Sequence, residues 1–177
     1  RKQAESLKNI KDLVYEEFIR VKEILGKRPS RIDFFKYIDE SVFKSMKRFT
    51  DPLINVFKDY LSFLKENNEL EPGEASLFYT IAHKFIRLVE NTRMTKIYKM
   101  PLLLAFYNNG NMKLKLTPDD IYVAFKEFFS NSSNAVDLEI HKTRSNFRSW
   151  GKEEYIILSR GNPEKFLMQT NPEFFYR

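Results

Sequence analysis

The sequence of 177 residues is long enough to form one sizeable hydrophobic core or two small ones. Hydrophobic residues make up 42% of it and charged residues 31%, with 17 Phe and 9 Tyr against 5 Gly, which predicts a folded and mainly helical protein. Cysteine is absent, which excludes a disulfide framework, a thiolate nucleophile and cysteine-ligated zinc, and the net charge of +6 is a modest basic excess.

The first 50 residues carry three predicted helices. Apolar residues spaced three or four apart predict an amphipathic helix over 4–25, which Gly26 ends. Ser30 is a good N-cap for a short second helix, and 41–49 has the pattern of a third. Three helices with tight connections resemble a helix-turn-helix, so we predict a helix-turn-helix-like unit over 1–50.

The middle segment, 51–92, is predicted to be a helical connector. Asp51 followed by Pro52 predicts the start of a helix that continues to about residue 67. A turn at 71–73 separates it from a second predicted helix over 74–89. This segment has four Lys/Arg against seven Asp/Glu, so it is acidic.

The last segment, 93–177, is predicted to be a winged-helix-like unit with a few short strands. The N-cap Thr117 marks its most clearly defined helix, and Asn162-Pro163 predicts a break in the chain. The predicted order is a buried helix at 97–107, a strand at 112–116, a helix at 118–129, a loop at 130–134, a helix at 152–159, and strand-like pieces at 166–168 and 174–176. This order is that of a winged helix, whose last strands form the wing.

No catalytic motif is apparent in the sequence. The glycines stand singly and no Gly-x-x-x-x-Gly-Lys-Ser/Thr phosphate loop occurs, so we expect no ATP site of that kind in this chain. The two histidines are far apart, and His83, beside a helical apolar stripe, is predicted to be structural. We therefore predict no catalytic residue, no metal ligand and no cofactor for the chain itself.

One segment contains residues of the kinds found in metal-dependent nucleases. Asp137, Glu139 and His141 precede Lys142, and carboxylates beside a lysine are found in metal-dependent nucleases. The usual Asp…Glu-x-Lys spacing is not met, because Glu139 and Lys142 are three residues apart. An exposed loop is the favoured interpretation, and a nuclease remains the less favoured alternative.

Three groups of basic residues are candidates for phosphate contact. Arg93, Lys96 and Lys99 lie in a stretch without acidic residues, at the start of the predicted buried helix. Their alternative role is to cover apolar surface and to pair with acidic helices. The other two groups are Lys142, Arg144 and Arg148 before Trp150, with Ser145, Asn146 and Ser149 among them, and Arg28 and Arg31 beside Lys27 and Ser30. Trp150 is predicted to be structural, and the arginines near it to contact a ligand at the surface.

Three segments carry a resemblance to a known family. They are Arg93-Met-Thr-Lys-Ile-Tyr-Lys-Met-Pro-Leu-Leu-Leu-Ala-Phe, Ser130-Asn-Ser-Ser-Asn-Ala-Val-Asp and Arg28-Pro-Ser-Arg-Ile-Asp. They resemble the region after the motor in bacterial superfamily-two DEAD/DEAH-box helicases, which are related to type III restriction subunits. In that family the first block looks like Thr-x-Met-(Thr/Ser)-Lys-x-Tyr-Lys-Met-x-Leu-Leu. The resemblance spans most of the chain, but only these pieces are specific.

The resemblance implies that ATP hydrolysis, with its ATP and Mg²⁺, belongs to motor domains upstream in a longer parent protein. The absence of an initiator methionine agrees with this expectation, since the sequence begins at Arg1. The chain is then expected to be a DNA-binding accessory C-terminal region, contacting DNA, or RNA, and the motor domains. The alternative is a protein-interaction or scaffolding module that docks on the motor.

A cytoplasmic location without a membrane partner is expected. The longest apolar run, 100–107, is much shorter than the roughly 20 residues that cross a bilayer. No segment near residue 1 has the pattern of a signal peptide.

Overall fold

A computed structural model describes residues 2–92, 97–108 and 111–177, apart from the side chains of 2–9, 108 and 111. It divides into two compact units, 1–92 and 93–177, each of which is described by itself. The described residues are mainly helical, which confirms the predicted fold class at that level. Within those residues no helix combines the length and apolar character needed to cross a membrane.

The helices and strands have the following bounds. The first unit contains α1 (Lys2–Leu25), α2 (Arg31–Tyr37), α3 (Glu40–Met46), α4 (Tyr60–Glu66) and α5 (Ile81–Asn91). The second contains α6 (Lys99–Phe106), β1 (Tyr107–Asn108), β2 (Asn111–Met112), α7 (Pro118–Ser130), α8 (Ser132–Glu139), α9 (Lys152–Ser159) and α10 (Lys165–Thr170).

The core of the first unit is aromatic. Phe18 of α1 and Phe34 of α2 are fully buried, with their ring centroids 5.7 Å apart. Phe63 of α4 packs edge-on against Phe18 at 5.3 Å and stacks with Phe34 at 6.4 Å. The predicted start of α2 is confirmed, since the Ser30 hydroxyl accepts a hydrogen bond from the Asp33 backbone N–H. Local capping and apolar periodicity thus determine α1 and α2.

The predicted helix from Pro52 to about residue 67 is wrong in its first half. The Asp51 carboxylate accepts from the Leu53 N–H in a local turn, and a 3₁₀ turn (Val56–Lys58) follows. Asp59 then caps α4 through the Ser62 N–H, so the helix begins at Tyr60. Val56 and Phe57 of this turn are buried.

The predicted helix over 74–89 also begins later than expected. A 3₁₀ turn spans Glu74–Leu77, and α5 starts only at Ile81. Between them Tyr79 has a φ of +62°, in the left-handed region that aromatic residues rarely adopt. This residue interrupts what the sequence presents as one helical pattern.

The second unit is built around α6, α7, α9 and α10. Its largest fully buried side chains include Tyr98, Phe125 and Phe129. The predicted start of α7 is confirmed: the Thr117 hydroxyl accepts from the Asp120 N–H, while the Asp120 carboxylate accepts from the Thr117 N–H. Pro118 occupies the first helical turn, where no backbone donor is needed.

The predicted loop at 130–134 is wrong, because α8 begins at Ser132. The Asn131 side chain accepts from the Ser133 N–H and acts as the N-cap of this helix. A short run of Ser and Asn therefore serves as a helix boundary here rather than as an extended loop.

The predicted strands are the main errors in the second unit. β1 and β2 form a two-residue antiparallel pair, with Tyr107 opposite Met112. The predicted strand at 112–116 does not continue past Met112, and 166–168 lies in α10. Residues 174–176 form no strand. The predicted break at Pro163 is instead a π-helical turn (Arg160–Glu164) that joins α9 to α10; a proline inside a helix removes a hydrogen bond and widens the turn.

Candidate nucleic-acid interface

A groove of about 540 Å³ in the second unit gathers residues of the basic group near Trp150. One wall is the segment before α9, with Arg144, Asn146 and Trp150. The other is formed by α9 and the π-helical turn, with Ile157 and Asn162. The remaining lining residues are Thr143, Ser149, Glu154, Leu158 and Gly161. Besides the Glu154 carboxylate, the polar lining consists of two hydroxyl groups, two side-chain amides and the Arg144 guanidinium, which suit phosphate and sugar oxygens.

Buried anchors hold the first wall of the groove. Phe147 is 1% exposed, and its carbonyl accepts a hydrogen bond of 3.2 Å from the Tyr155 hydroxyl of α9. The Trp150 ring packs edge-on against Tyr155 at 5.5 Å, and its indole N–H donates to the Asn146 side chain at 3.3 Å. The predicted structural role of Trp150 agrees with these contacts, although the residue also lines the groove.

Arg144 is the basic residue that lines the groove itself. Its Nη1 donates to the Tyr98 hydroxyl at 3.4 Å, and its guanidinium carbon lies 5.8 Å from the centre of the Tyr98 ring. Tyr98 is fully buried, so the guanidinium is placed against a fixed aromatic surface. A positioned guanidinium loses less freedom when it binds a phosphate.

Lys142 and Arg148 flank Arg144 along the chain and are both exposed. Arg148 pairs with Glu139 at 2.6 Å and lies over the Phe147 ring at 4.8 Å. The Arg148 side chain remains 58% exposed, so a phosphate can compete with this surface pair at low cost.

The segment that forms the groove has a basic excess in sequence, whereas the lining itself holds one arginine and one glutamate. Residues 140–162 contain five Lys/Arg and two Asp/Glu. The Glu154 carboxylate accepts from the Gly151 N–H at 3.0 Å, at the start of α9. Arg160, exposed in the π-helical turn, directly precedes the groove residues Gly161 and Asn162 and was not among the basic residues singled out from the sequence.

The group Arg93, Lys96 and Lys99 falls largely outside the described residues. Only Lys99 is described, half-buried in the first turn of α6. The phosphate site predicted from the other two basic residues stays a prediction.

Arg28 and Arg31 have partners within the first unit. Arg28 donates to both Glu74 carboxylate oxygens, at 2.7 and 2.9 Å, and these bonds raise the pKa of its guanidinium. Arg31 donates to the Phe57 carbonyl at 2.9 Å and lies 3.2 Å from the Glu90 carboxylate. A phosphate would have to displace these carboxylates, so we leave both arginines out of the proposed interface.

The segment considered for nuclease chemistry is helical rather than extended. Asp137 and Glu139 lie in α8, where residues two apart point about 200° apart around the axis. The Asp137 carboxylate accepts from the Ile97 N–H at 3.4 Å, whereas Glu139 pairs with Arg148. His141 Nδ1 lies 3.2 Å from the Thr143 hydroxyl. Each of the three side chains thus has a partner of its own, and no group of three or more His, Cys, Asp or Glu that could hold a metal ion occurs in the described part of the chain.

His83 belongs to a buried polar cluster of the first unit. The Asp59 carboxylate lies 3.0 Å from His83 Nε2 and 3.1 Å from Arg87 Nε. Burial acts to raise the pKa of Asp59, but hydrogen bonds from His83 and Ser62 outweigh it and lower the pKa. The cluster connects α4 with α5, as expected for a structural histidine.

The fold and the groove define a mainly helical chain whose second unit presents a polar groove with Arg144 in its lining. Comparison with family models, with curated proteins and with solved structures gives no match.

Proposed function

We propose that the chain is a nucleic-acid-binding accessory region of a larger ATP-dependent DNA helicase and contacts the DNA backbone. The observation that carries the proposal is the groove of the second unit, where Arg144 is held on Tyr98 among hydroxyl and amide groups. Phosphate contacts of this kind position a nucleic acid without reading its sequence. In this proposal ATP and Mg²⁺ bind the motor domains of the parent.

The resemblance to the region after a DEAD/DEAH-box motor supports the helicase part of the proposal. It rests on the Arg93–Phe106 block, in which α6 provides the apolar half. The helix-turn-helix-like arrangement of 1–50 belongs to the same proposal. The winged-helix-like arrangement of 93–177 loses its wing, because 166–168 lies in α10 and 174–176 form no strand. Contact through the groove does not depend on either arrangement.

The experiment is a comparison of two doubly charge-reversed variants in DNA binding at low salt. Lys142→Glu/Arg144→Glu changes the groove, and Lys115→Glu/Lys126→Glu makes the same charge change at exposed positions outside it. Fluorescence anisotropy with labelled single-stranded, duplex and forked DNA gives the affinities. We expect the groove variant to bind DNA at least about tenfold more weakly than the unaltered chain, and the control variant to bind nearly as tightly as the unaltered chain.

Two outcomes would contradict this proposal. One is that the unaltered chain binds none of the three DNAs at low salt. The other is an equal loss of affinity in both variants, which would show a general charge effect rather than a site. Trp150 fluorescence checks that the groove variant is folded.

A scaffolding module remains the second candidate, because the second unit also exposes apolar side chains. Leu114 is 96% exposed and Tyr176 is 84% exposed, and both line a mostly apolar groove of about 380 Å³. Exposed apolar surface of this kind is typical of protein contacts. Loss of copurification with the parent's motor domains in Leu114→Asp, with DNA binding unchanged, would favour this function.

A further inference from the structure

The first unit has a groove of its own, of about 610 Å³, between α4 and α5. Its aromatic wall is formed by Phe78 and Tyr79, in the turn before α5. Its basic residues are Lys65, Lys84 and Arg87, and each of them is exposed. The groove therefore combines aromatic rings with positive charge, which is the combination that binds single-stranded nucleic acids.

Tyr79 is the most unusual residue of this groove. Its side chain is 93% exposed, so folding of the unit gains almost nothing from the ring. Its φ of +62° lies in the left-handed region, which disfavours a bulky side chain. An exposed aromatic ring at such a position is well placed to stack on a planar ligand.

Lys65 is positioned beside the rings. Its ammonium group lies 4.3 Å from the centre of the Phe78 ring and 5.3 Å from that of Tyr79. A lysine held by two aromatic rings loses little further freedom when it binds a phosphate. The other face of Tyr79 is left to solvent, as its exposure requires.

The acidic residues of the groove are already paired. Asp59 is 3% exposed at its base and contacts both His83 and Arg87. Glu66 lies 3.4 Å from Lys11 of α1. Arg87 is thus paired with Asp59, and Lys65 and Lys84 carry the positive charge of the outer part of the groove.

We propose that this groove binds a nucleotide unit, with its base stacked on Tyr79 and its phosphate held by Lys65 and Lys84. The unit is a free nucleotide or one residue of a single strand, since both carry the same base and phosphate. This site lies in the other unit from the proposed DNA-backbone groove and does not depend on it.

The test uses the whole chain with Arg144→Gln as background, so that the groove of the second unit contributes little. The ring is removed with Tyr79→Gly, which suits a positive φ and is expected to fold at least as well. Tyr79→Phe keeps the ring, and Tyr37→Ala removes a partly exposed ring that does not line the groove. The ligands are an oligothymidylate, an abasic oligonucleotide of equal length and thymidine monophosphate.

We expect Tyr79→Gly to weaken oligothymidylate binding by about 5- to 150-fold, and Tyr79→Phe and Tyr37→Ala to leave it nearly unchanged. Binding of the abasic strand should not respond to Tyr79→Gly. If thymidine monophosphate binds as tightly as oligothymidylate and its binding depends on Tyr79, the site is one for free nucleotides. If oligothymidylate binds more tightly, the site is one for a strand.

The proposal is overturned if neither thymidine ligand binds, or if Tyr79→Gly binds oligothymidylate as well as the background does. An equal loss on the abasic strand would also overturn it, because the ring would then not act on a base. Loss of binding in the Lys142→Glu/Arg144→Glu variant reports on the second unit, and loss in Tyr79→Gly reports on the first, so failure of one site is distinguishable from failure of the other.

Discussion

Phe34→Ala is expected to lower the free energy of unfolding by about 3 to 5 kcal/mol, as is typical when a buried Phe leaves a cavity. Phe34 is fully buried, and its ring packs against those of Phe18, Phe57 and Phe63. Neighbouring helices cannot close the space without separating those rings. Urea denaturation followed by far-ultraviolet circular dichroism measures the change.

Phe35→Ala is the matched control, because this neighbouring side chain is 58% exposed. We expect it to cost about 1 kcal/mol or less, through its contacts with Phe43 and Phe57. Equal losses for the two variants would contradict the position of Phe34 at the centre of the core.

Glu90→Gln is expected to change how stability depends on pH. Burial raises the pKa of the Glu90 carboxyl from 4.5 to about 7, although Arg31 acts in the opposite direction. Its other polar neighbours are Asp59, Arg87 and the Tyr60 N–H, which donates to Glu90 at 3.4 Å. Because the pKa is raised on folding, the folded state binds the proton more tightly. This tighter proton binding stabilises the folded state fully below pH 4.5, and the stabilisation is lost as the pH rises through about 7.

The glutamine variant cannot ionise and should not lose this stability. Relative to the unaltered chain, the variant should therefore gain about 2 to 3 kcal/mol in free energy of unfolding as the pH rises from about 5 to about 8. Glu71→Gln, at an exposed carboxylate, is the control. If the pH profiles of Glu90→Gln and the unaltered chain run parallel, then Glu90 does not carry a raised pKa.

Local signals in the sequence predict helix starts well where one capping residue dominates. Ser30 and Thr117 cap α2 and α7 as predicted, since each sits three residues before an aspartate that completes the cap. Asp51 was wrongly predicted to start this helix: it caps a local turn through the Leu53 N–H, and Asp59, eight residues later, caps α4. Pro163 failed as a break because a π-helical turn accommodates it.

Only one wall of the groove in the second unit could be predicted from the sequence. The basic residues Lys142, Arg144 and Arg148 lie within seven consecutive positions, so their clustering near Trp150 is visible in the sequence. The opposite wall, with Ile157 and Asn162, depends on how α9 packs and leaves no local pattern. Likewise, Arg28 meets Glu74, 46 residues away, and no local spacing indicates that pair.

The tyrosine groove of the first unit, lined by Phe78 and Tyr79, was missed for a similar reason. The sequence predicts one helix over 74–89, in which Tyr79 would be an ordinary helical residue. Its exposure follows from the left-handed turn that separates the 3₁₀ turn from α5. A Gly or Asn at this position would have signalled the turn, but a Tyr does not.

The salt dependence of DNA binding tests the central claim most directly. If backbone phosphates are the ligands, the logarithm of the binding constant falls linearly with the logarithm of salt concentration, by about 0.9 per phosphate contact on duplex DNA and about 0.7 on a single strand. The Lys142→Glu/Arg144→Glu variant should show a slope shallower by about one to two contacts, while Lys115→Glu/Lys126→Glu keeps the original slope. Binding that does not respond to salt, or one slope shared by all three proteins, would contradict a phosphate-binding groove at Arg144.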